Sequence, residues 1–374
     1  EAFLYEEYES LAPKLLSGIE DIYCDYTNAA FEKYDKKLIN TAIPYDQRGS
    51  SFSKATLNSL SPLLSEFRLI KSSEELEHLK RACDITVEGH KSAMEFTKKD
   101  MYEYQIEAEM EKTFYDLGAE RLGYPSIVAP GDNACILHYS TNREKVDNNG
   151  LILIDAAAEF KMYSSDVTRT FPVNGKFTKA QKDVYTAVLN AQELGIKNVT
   201  TKKTMSDIHT STVTSISQSL VDLGLVPMGV EETISMMHYF EFFMHGTGHW
   251  LGLDVHDAGT TEEKNKPRKL KPGMVTTIEP GIYIRPNKPE IEFKLLERDP
   301  KKIRERRKSL GMEKATKLES EEMKDAKSIK HKIPKDLLGI GIRIEDDIVC
   351  TENDPINLTI GAPKTIDDVE AICS

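Results

Sequence analysis

A chain of 374 residues and 42.2 kDa has room for about two domains, or one large domain with an appendage. With 39% hydrophobic and 29% charged residues it can build a sizeable core, which excludes wholesale disorder. Its net charge of −12 argues against general nucleic-acid binding, and no apolar run of about 18 residues is present to span a membrane. The five cysteines (Cys24, Cys83, Cys135, Cys350, Cys373) lie far apart with no CxxC pair, which excludes a disulfide framework or zinc knuckle and suits a reducing compartment. Glu1 rather than Met opens the chain, and no signal-like apolar stretch follows it. The expectation is a processed or trimmed cytoplasmic protein, or an organellar-matrix one if a targeting segment has been removed.

Residues 1–67 mix helical and extended patterns: Leu11, Leu15, Leu16 and Ile19 form a helical stripe, and 20–26 reads as a short strand. From Ser72 the texture changes. Ser72 and Ser73 ahead of Glu74 and Glu75 form an N-cap with an acidic first turn, and Leu76, Leu79, Cys83 and Val87 predict a helix to about Phe96. A second helix is expected over 102–117, stopping at Gly118. Strands are expected at 136–139, 151–157 and 166–173, helices at 179–195 and 205–223, and strands again at 275–284 and 341–351. The interleaving predicts an α/β (α+β) catalytic domain over 68–374 behind a partial amino-terminal domain at 1–67. Residues 287–337 are rich in Lys and Arg and poor in apolar residues, and read as a solvated, helical or partly disordered insertion.

Four anomalies carry chemistry. Asp155 ends the apolar run Leu151–Asp155, and Asp166 opens the next strand, which would put two carboxylates on neighbouring strands. A buried ionised carboxylate is costly unless paired or metal-bound, although either Asp alone could cap a turn. His245, His249 and His256 cluster among glycines, and neutral imidazole suits divalent transition metals. Glu279 sits within a strand just before a Pro-Gly turn, and Glu345 lies on an apolar strand with Arg343 on the same face. Oxygen-rich ligation with one imidazole matches Mn²⁺, Fe²⁺, Co²⁺ or Zn²⁺, and four crowded carboxylates are balanced by two such cations.

These segments resemble the proline-specific branch of the pita-bread metallopeptidases, the aminopeptidase P and prolidase family. The matching runs are 135–139, 153–156, 165–177, 245–257, 278–283 and 341–347, in family order. The resemblance implies a pita-bread catalytic domain behind a shortened amino-terminal domain, and a dinuclear centre. Asp155 would hold one metal, Asp166 and Glu345 would bridge both, and His249 and Glu279 would complete the second. Manganese is the first choice, with cobalt, zinc or iron as alternatives. Glu279 would shuttle the proton and His256 would stabilise the oxyanion. His138, His245, Arg343 and Tyr283 would surround the substrate, with His245 and Arg343 near the proline.

The implied activity is release of the first residue from peptides beginning Xaa-Pro. A prolidase restricted to dipeptides shares every ligand, and only loops closing the cleft behind proline separate the two. A catalytically silent binding module would have lost ligands that are all present here, and methionine aminopeptidase lacks the His245–His249 pattern. The expected partners are therefore Xaa-Pro peptides, with neither nucleic acid nor membrane, and a homodimer or homotetramer stays open. His209, His238 and His331 fall outside the motifs and read as surface or core residues. Cys135 and Cys350 read as buried strand residues, and Arg169 as a structural partner for a carboxylate.

Overall fold

A computed structural model describes residues 4–15, 19–25, 56–148, 150–264 and 266–374. It divides into two compact units, Glu1–Arg68 and Leu69–Ser374. In the first, helix α1 (Tyr8–Leu15) precedes strand β1 (Asp21–Cys24), which pairs in parallel with β2 (Thr56–Ser59); helix α2 (Ser61–Leu69) follows, its last residue opening the second unit. Residues 16–18 of the expected stripe lie outside the described residues.

The second unit begins with α3 (Ser73–Phe96). Its capping box is complete: Ser72 Oγ accepts from Glu75 N, and the Glu75 carboxylate accepts from Ser72 N. Helix α4 (Glu103–Asp116) packs on it, burying Ile106, Met110 and Phe114. After a short strand β3 (Arg121–Leu122), β4 (Ile127–Pro130) and β5 (Leu151–Asp155) form the edge and centre of an antiparallel sheet. The hairpin β6 (Ala158–Phe160) and β7 (Tyr163–Ser164) then returns the chain to β8 (Thr168–Pro172) on the other side of β5, with Asp155 opposite Thr168. Residues Leu151–Ile154 are buried on both faces of β5, which is why this run is uniformly apolar. Helices α5 (Lys179–Lys197) and α6 (Met205–Asp222) follow, each with a Thr capping box, and then the short α7 (Val230–Ser235).

Beyond the small ribbon β9 (Glu262–Glu263) and β10 (Lys266–Pro267) comes the element that positions most of the chemistry. Strands β11 (Val275–Ile278) and β12 (Gly281–Tyr283) run antiparallel to β16 (Asp346–Val349) and β15 (Gly341–Arg343), with β17 (Ile356–Asn357) beside β16. Between β12 and β15 lies a second hairpin, β13 (Glu290–Lys294) and β14 (Ser328–Lys332), tipped by α8 (Pro300–Leu310) and α9 (Met312–Asp325). Helix α10 (Ile366–Ile372) closes the chain. No helix among the described residues is long and apolar enough to cross a membrane.

Four expectations need correction. Residues 136–139 follow a 3-10 turn (Gly131–Cys135) and form no strand; Tyr139 is held by its hydroxyl on the Glu103 carboxylate at 2.9 Å instead of by a ladder. Cys135 accordingly ends that turn, and Cys350 lies just past β16. Asp166 lies before β8 rather than within it. The expected strands 275–284 and 341–351 are each broken once, at 279–280 and 344–345. The insertion carries two helices, as expected, and adds the β13–β14 hairpin, because Ile291 and Phe293 bury one face of β13 in the main core.

Candidate active site

The two strand breaks face each other. Ile278 pairs with Asp346 and Gly281 with Arg343, so Glu279-Pro280 and Ile344-Glu345 occupy one gap in a single antiparallel ribbon. Pro280 has no N–H to continue the ladder. At the gap the backbone turns sideways for its bonds: Glu279 N–H donates to Thr247 O at 2.8 Å, and Glu345 N–H donates to Thr168 O at 3.1 Å. The ribbon is thereby tied on one side to the His-Gly segment and on the other to the sheet carrying Asp155. The His-Gly segment in turn lies along β11, with Thr277 N–H on His249 O at 3.0 Å and Leu251 N–H on Val275 O at 3.1 Å. Gly248 makes this approach possible, since a Cβ there would lie 1.9 Å from Thr277 O.

These ties bring the expected donors into one cavity of about 90 Å³. It is lined by Leu137, His138, Asp155, Asp166, His245, His249, His256, Glu279, Arg343 and Glu345. At ~30 Å³ per water, that is space for about three water-sized groups. Ligand atoms of Asp166, His249 and Glu345 all lie within 4.8 Å of one another. His249 Nδ1–H donates to Trp250 O at 3.0 Å, which leaves Nε2 facing Asp166 Oδ2 at 3.2 Å and Glu279 Oε1 at 3.6 Å. Asp155 takes the guanidinium of Arg343 on Oδ2 at 2.5 Å. A roomier hollow of about 440 Å³ lies between Glu241 and residues 287–292, but no histidine lines it.

Arg343 is the only Lys or Arg among the described residues that line this cavity, and of its four carboxylates it meets Asp155. Its Nε donates to Thr168 Oγ1 at 2.9 Å and its Nη1 to the Tyr283 hydroxyl at 3.0 Å. Tyr283 then donates to His245 Nε2 at 2.9 Å, while His245 Nδ1–H donates to Gly246 O at 2.8 Å. Both nitrogens of His245 are therefore occupied by the protein, and His245 meets the cavity through its ring. Burial, together with the nearby Arg343 charge, pushes its pKa down to about 3, so it is neutral throughout the working range. Burial pushes Glu279 up to about 7, with Asp166 and Asp155 adding to the rise and His249 and Arg343 opposing it. Burial also raises Glu345 well above the carboxylate range, reinforced by Asp166, Glu279 and Asp155. His138 and His256 stand exposed at the rim, the His256 ring edge-on to His249 with centroids 4.3 Å apart.

Three supporting residues escaped sequence reasoning. The Tyr124 hydroxyl lies 2.6 Å from both Asp155 Oδ1 and Asp166 Oδ1 and bridges them. Thr168 donates to Glu345 Oε2 at 2.6 Å while accepting from Arg343. Asp347, fully buried, accepts from Asp166 N–H at 3.0 Å and from the Cys83 thiol at 3.3 Å. Only Asp347 left a signal, as the third acid in Glu345-Asp346-Asp347. Arg169 does pair structurally: it meets Asp346 at 2.6 Å, both side chains fully buried, and also donates to Glu345 O. His238 and His331 bond backbone carbonyls away from the cavity, and His209 bonds Thr247 Oγ1 at 2.9 Å, just behind it.

Comparison with known proteins gives a consistent picture. A family model described as metallopeptidase family M24 matches residues 77–352. The chain is 36% identical to the Xaa-Pro aminopeptidase of Escherichia coli (strain K12), covering 99% of this chain and 74% of that protein. It is 30% identical to Xaa-Pro aminopeptidase 3 of Mus musculus, covering 100% of this chain and 64% of that one. Among solved structures, aminopeptidase PepP of Pseudomonas aeruginosa aligns with a TM-score of 0.84 at 35% identity, over 100% of this chain and 75% of that one. Proline aminopeptidase P II from Yersinia pestis aligns with a TM-score of 0.82 at 35% identity, over 100% and 76%.

Proposed function

Because the chain belongs to metallopeptidase family M24 and has its pita-bread fold, we propose that it is an Xaa-Pro aminopeptidase, releasing the first residue from peptides with proline in second position. The observation that carries this reading is the convergence of four carboxylates, three histidines besides His249, and Arg343 on one small cavity.

The donor set fits a pair of divalent cations. Asp155, Asp166, His249, Glu279 and Glu345 would hold them, with Asp166 and Glu345 shared. Four carboxylates against the single charge of Arg343 leave a deficit that two such ions make good, and mainly oxygen donors with one imidazole suit manganese first, then cobalt, zinc or iron. When bound, such ions acidify a water and polarise a carbonyl.

The chain's own residues account for the remaining steps. Glu279 takes a proton from the attacking water at its carboxylate and returns it to the departing proline nitrogen. That nitrogen belongs to a tertiary amide with no N–H of its own, so it must receive a proton to leave. His256 at the rim donates to the oxygen of the carbonyl under attack. Arg343, immobilised by Asp155, Thr168 and Tyr283, and His245 with its occupied nitrogens form a fixed wall against which the pyrrolidine ring is oriented.

The test is hydrolysis of an Xaa-Pro dipeptide beside an Xaa-Pro-Xaa tripeptide by chelator-stripped protein, with and without added Mn²⁺. Metal-dependent release of the first residue from the tripeptide is expected. Cleavage of the dipeptide alone would replace this reading with a prolidase, and inactivity on both with metal bound would refute peptidase function.

A further inference from the structure

Lys71 and Asp257 meet at 2.9 Å with side chains each 1% exposed. A pair removed this completely from water offers little stability beyond what well-packed apolar residues would give, so its value lies in geometry. Lys71 is anchored through its backbone: its N–H donates to Gly273 O at 2.8 Å, and neighbouring Ile70 bridges Met274, immediately before the strand that leads into Glu279. Asp257 follows His256 directly, and its N–H donates to Trp250 O at 2.9 Å, which closes residues 250–257 into a loop. Inside that loop Gly252 has no side chain; a Cβ there would lie 2.3 Å from Asp257 Oδ2 and 2.8 Å from Lys71 Cε. The ion pair fills the loop.

His256 has no such support of its own. Among the described residues no hydrogen bond holds its ring, and its one ring contact is the edge-on approach to His249 at 4.3 Å. Where the imidazole stands over the cavity is therefore set by the backbone at 256–257. We propose that Lys71 and Asp257 are positioning residues that fix the His256 loop against the strand leading into Glu279, so that the two groups keep one spacing through the reaction. The proposal rests on the reading of His256 as a group that acts on the substrate.

The test uses the full chain loaded with manganese and a tripeptide substrate. Lys71→Met with Asp257→Leu removes both charges together and keeps the volume apolar. We expect kcat to fall about tenfold or more, as a displacement near 1 Å can cost up to about 100-fold, while KM, metal content and Tm stay close to wild type. The same pair of substitutions should cost nothing further in a His256→Ala background, whereas a merely structural role would lower Tm and add to the His256 loss. Asp257→Asn, which still accepts from Lys71, should retain most of kcat. If the apolar pair does not fold, Lys71→Ala with Asp257→Ala makes the same comparison with no bond between the two positions. Unchanged kcat in the double variant, or additivity with His256→Ala, would overturn the proposal. Full activity of His256→Ala by itself would instead refute the role given to His256.

Discussion

Replacing Tyr283 by Phe removes one oxygen and leaves everything else in place. The ring packs against Ile127, Ala129, Ala134 and Leu153, so no cavity opens. What is lost is the hinge between Arg343 Nη1 at 3.0 Å and His245 Nε2 at 2.9 Å. A buried donor or acceptor stripped of its partner costs about 1–3 kcal/mol. Arg343, with its side chain 5% exposed, bears most of that, whereas His245 at 17% can recover a water. The net cost is about 2 kcal/mol, or a Tm lower by about 4 °C at ~2 °C per kcal/mol for a unit of this size. Function should suffer more than stability, because the free guanidinium edge can swing and His245 can change tautomer. Calorimetry beside steady-state hydrolysis of a tripeptide should show kcat/KM down about tenfold with metal content unchanged. A variant with both Tm and kcat/KM at wild-type values would show that the Arg343–Tyr283–His245 chain positions nothing.

Three further outcomes are expected. Glu279→Gln keeps the shape of the side chain and loses its proton chemistry, so turnover should fall by about 10²–10⁴ while circular dichroism stays unchanged; near-wild-type turnover would remove Glu279 from the proton path. Asp166→Asn and Glu345→Gln each remove a shared donor, so bound metal measured by elemental analysis should drop together with activity, and excess Mn²⁺ should restore wild-type but not variant protein. Glu370 accepts from Lys182 at 2.9 Å, Lys176 at 3.1 Å and Phe177 N–H at 3.1 Å, which bring its pKa from an ordinary 4.5 to about 2. Because the folded value is depressed, its stabilisation is complete above about pH 4.5 and is lost as pH falls through about 2. The lysines are solvated, so Glu370→Gln should cost only about 1 kcal/mol at neutral pH, a cost that fades as pH falls through about 2, measured by urea unfolding.

Local chemistry was readable and long-range chemistry was not. The Ser72–Glu75 capping box is written in four consecutive residues, so α3 could be placed from its start to Phe96. The proximity of Asp155 and Asp166 could be reasoned because the turn between them is short. The strand breaks at Glu279 and Glu345 could not, since each depends on bonds to Thr247 and Thr168 that no periodicity records. Residues 136–139 have the composition of a strand but answer to Glu103, a partner in a helix. The hairpin β13–β14 hides among lysines because only Ile291 and Phe293 on one face need be apolar. Tyr124 belongs to no motif; its importance exists only where Asp155 and Asp166 already meet.

The run Glu345-Asp346-Asp347 locates the charge deficit more sharply than any single residue does. Asp346 is fully buried, and burial alone would raise its pKa, yet Arg169 at 2.6 Å and Lys364 at 2.7 Å hold it far below the carboxylate range. Gln192, Asn357 and Thr359 complete its hydrogen bonds. Glu345, one residue earlier and equally buried, has Thr168 as its hydrogen-bond donor, and its pKa moves the opposite way. Burial is common to both, so it cannot explain the difference; compensation by the protein does. At Asp346, which lies outside the cavity lining, the fold supplies two cations. Where carboxylates face the cavity, it supplies Arg343 to Asp155 and leaves the others to be balanced from outside. Removing Arg169 should therefore harm folding first, and removing Glu345 should harm metal binding first. The two variants, made side by side on adjacent elements, separate a structural charge from a working one.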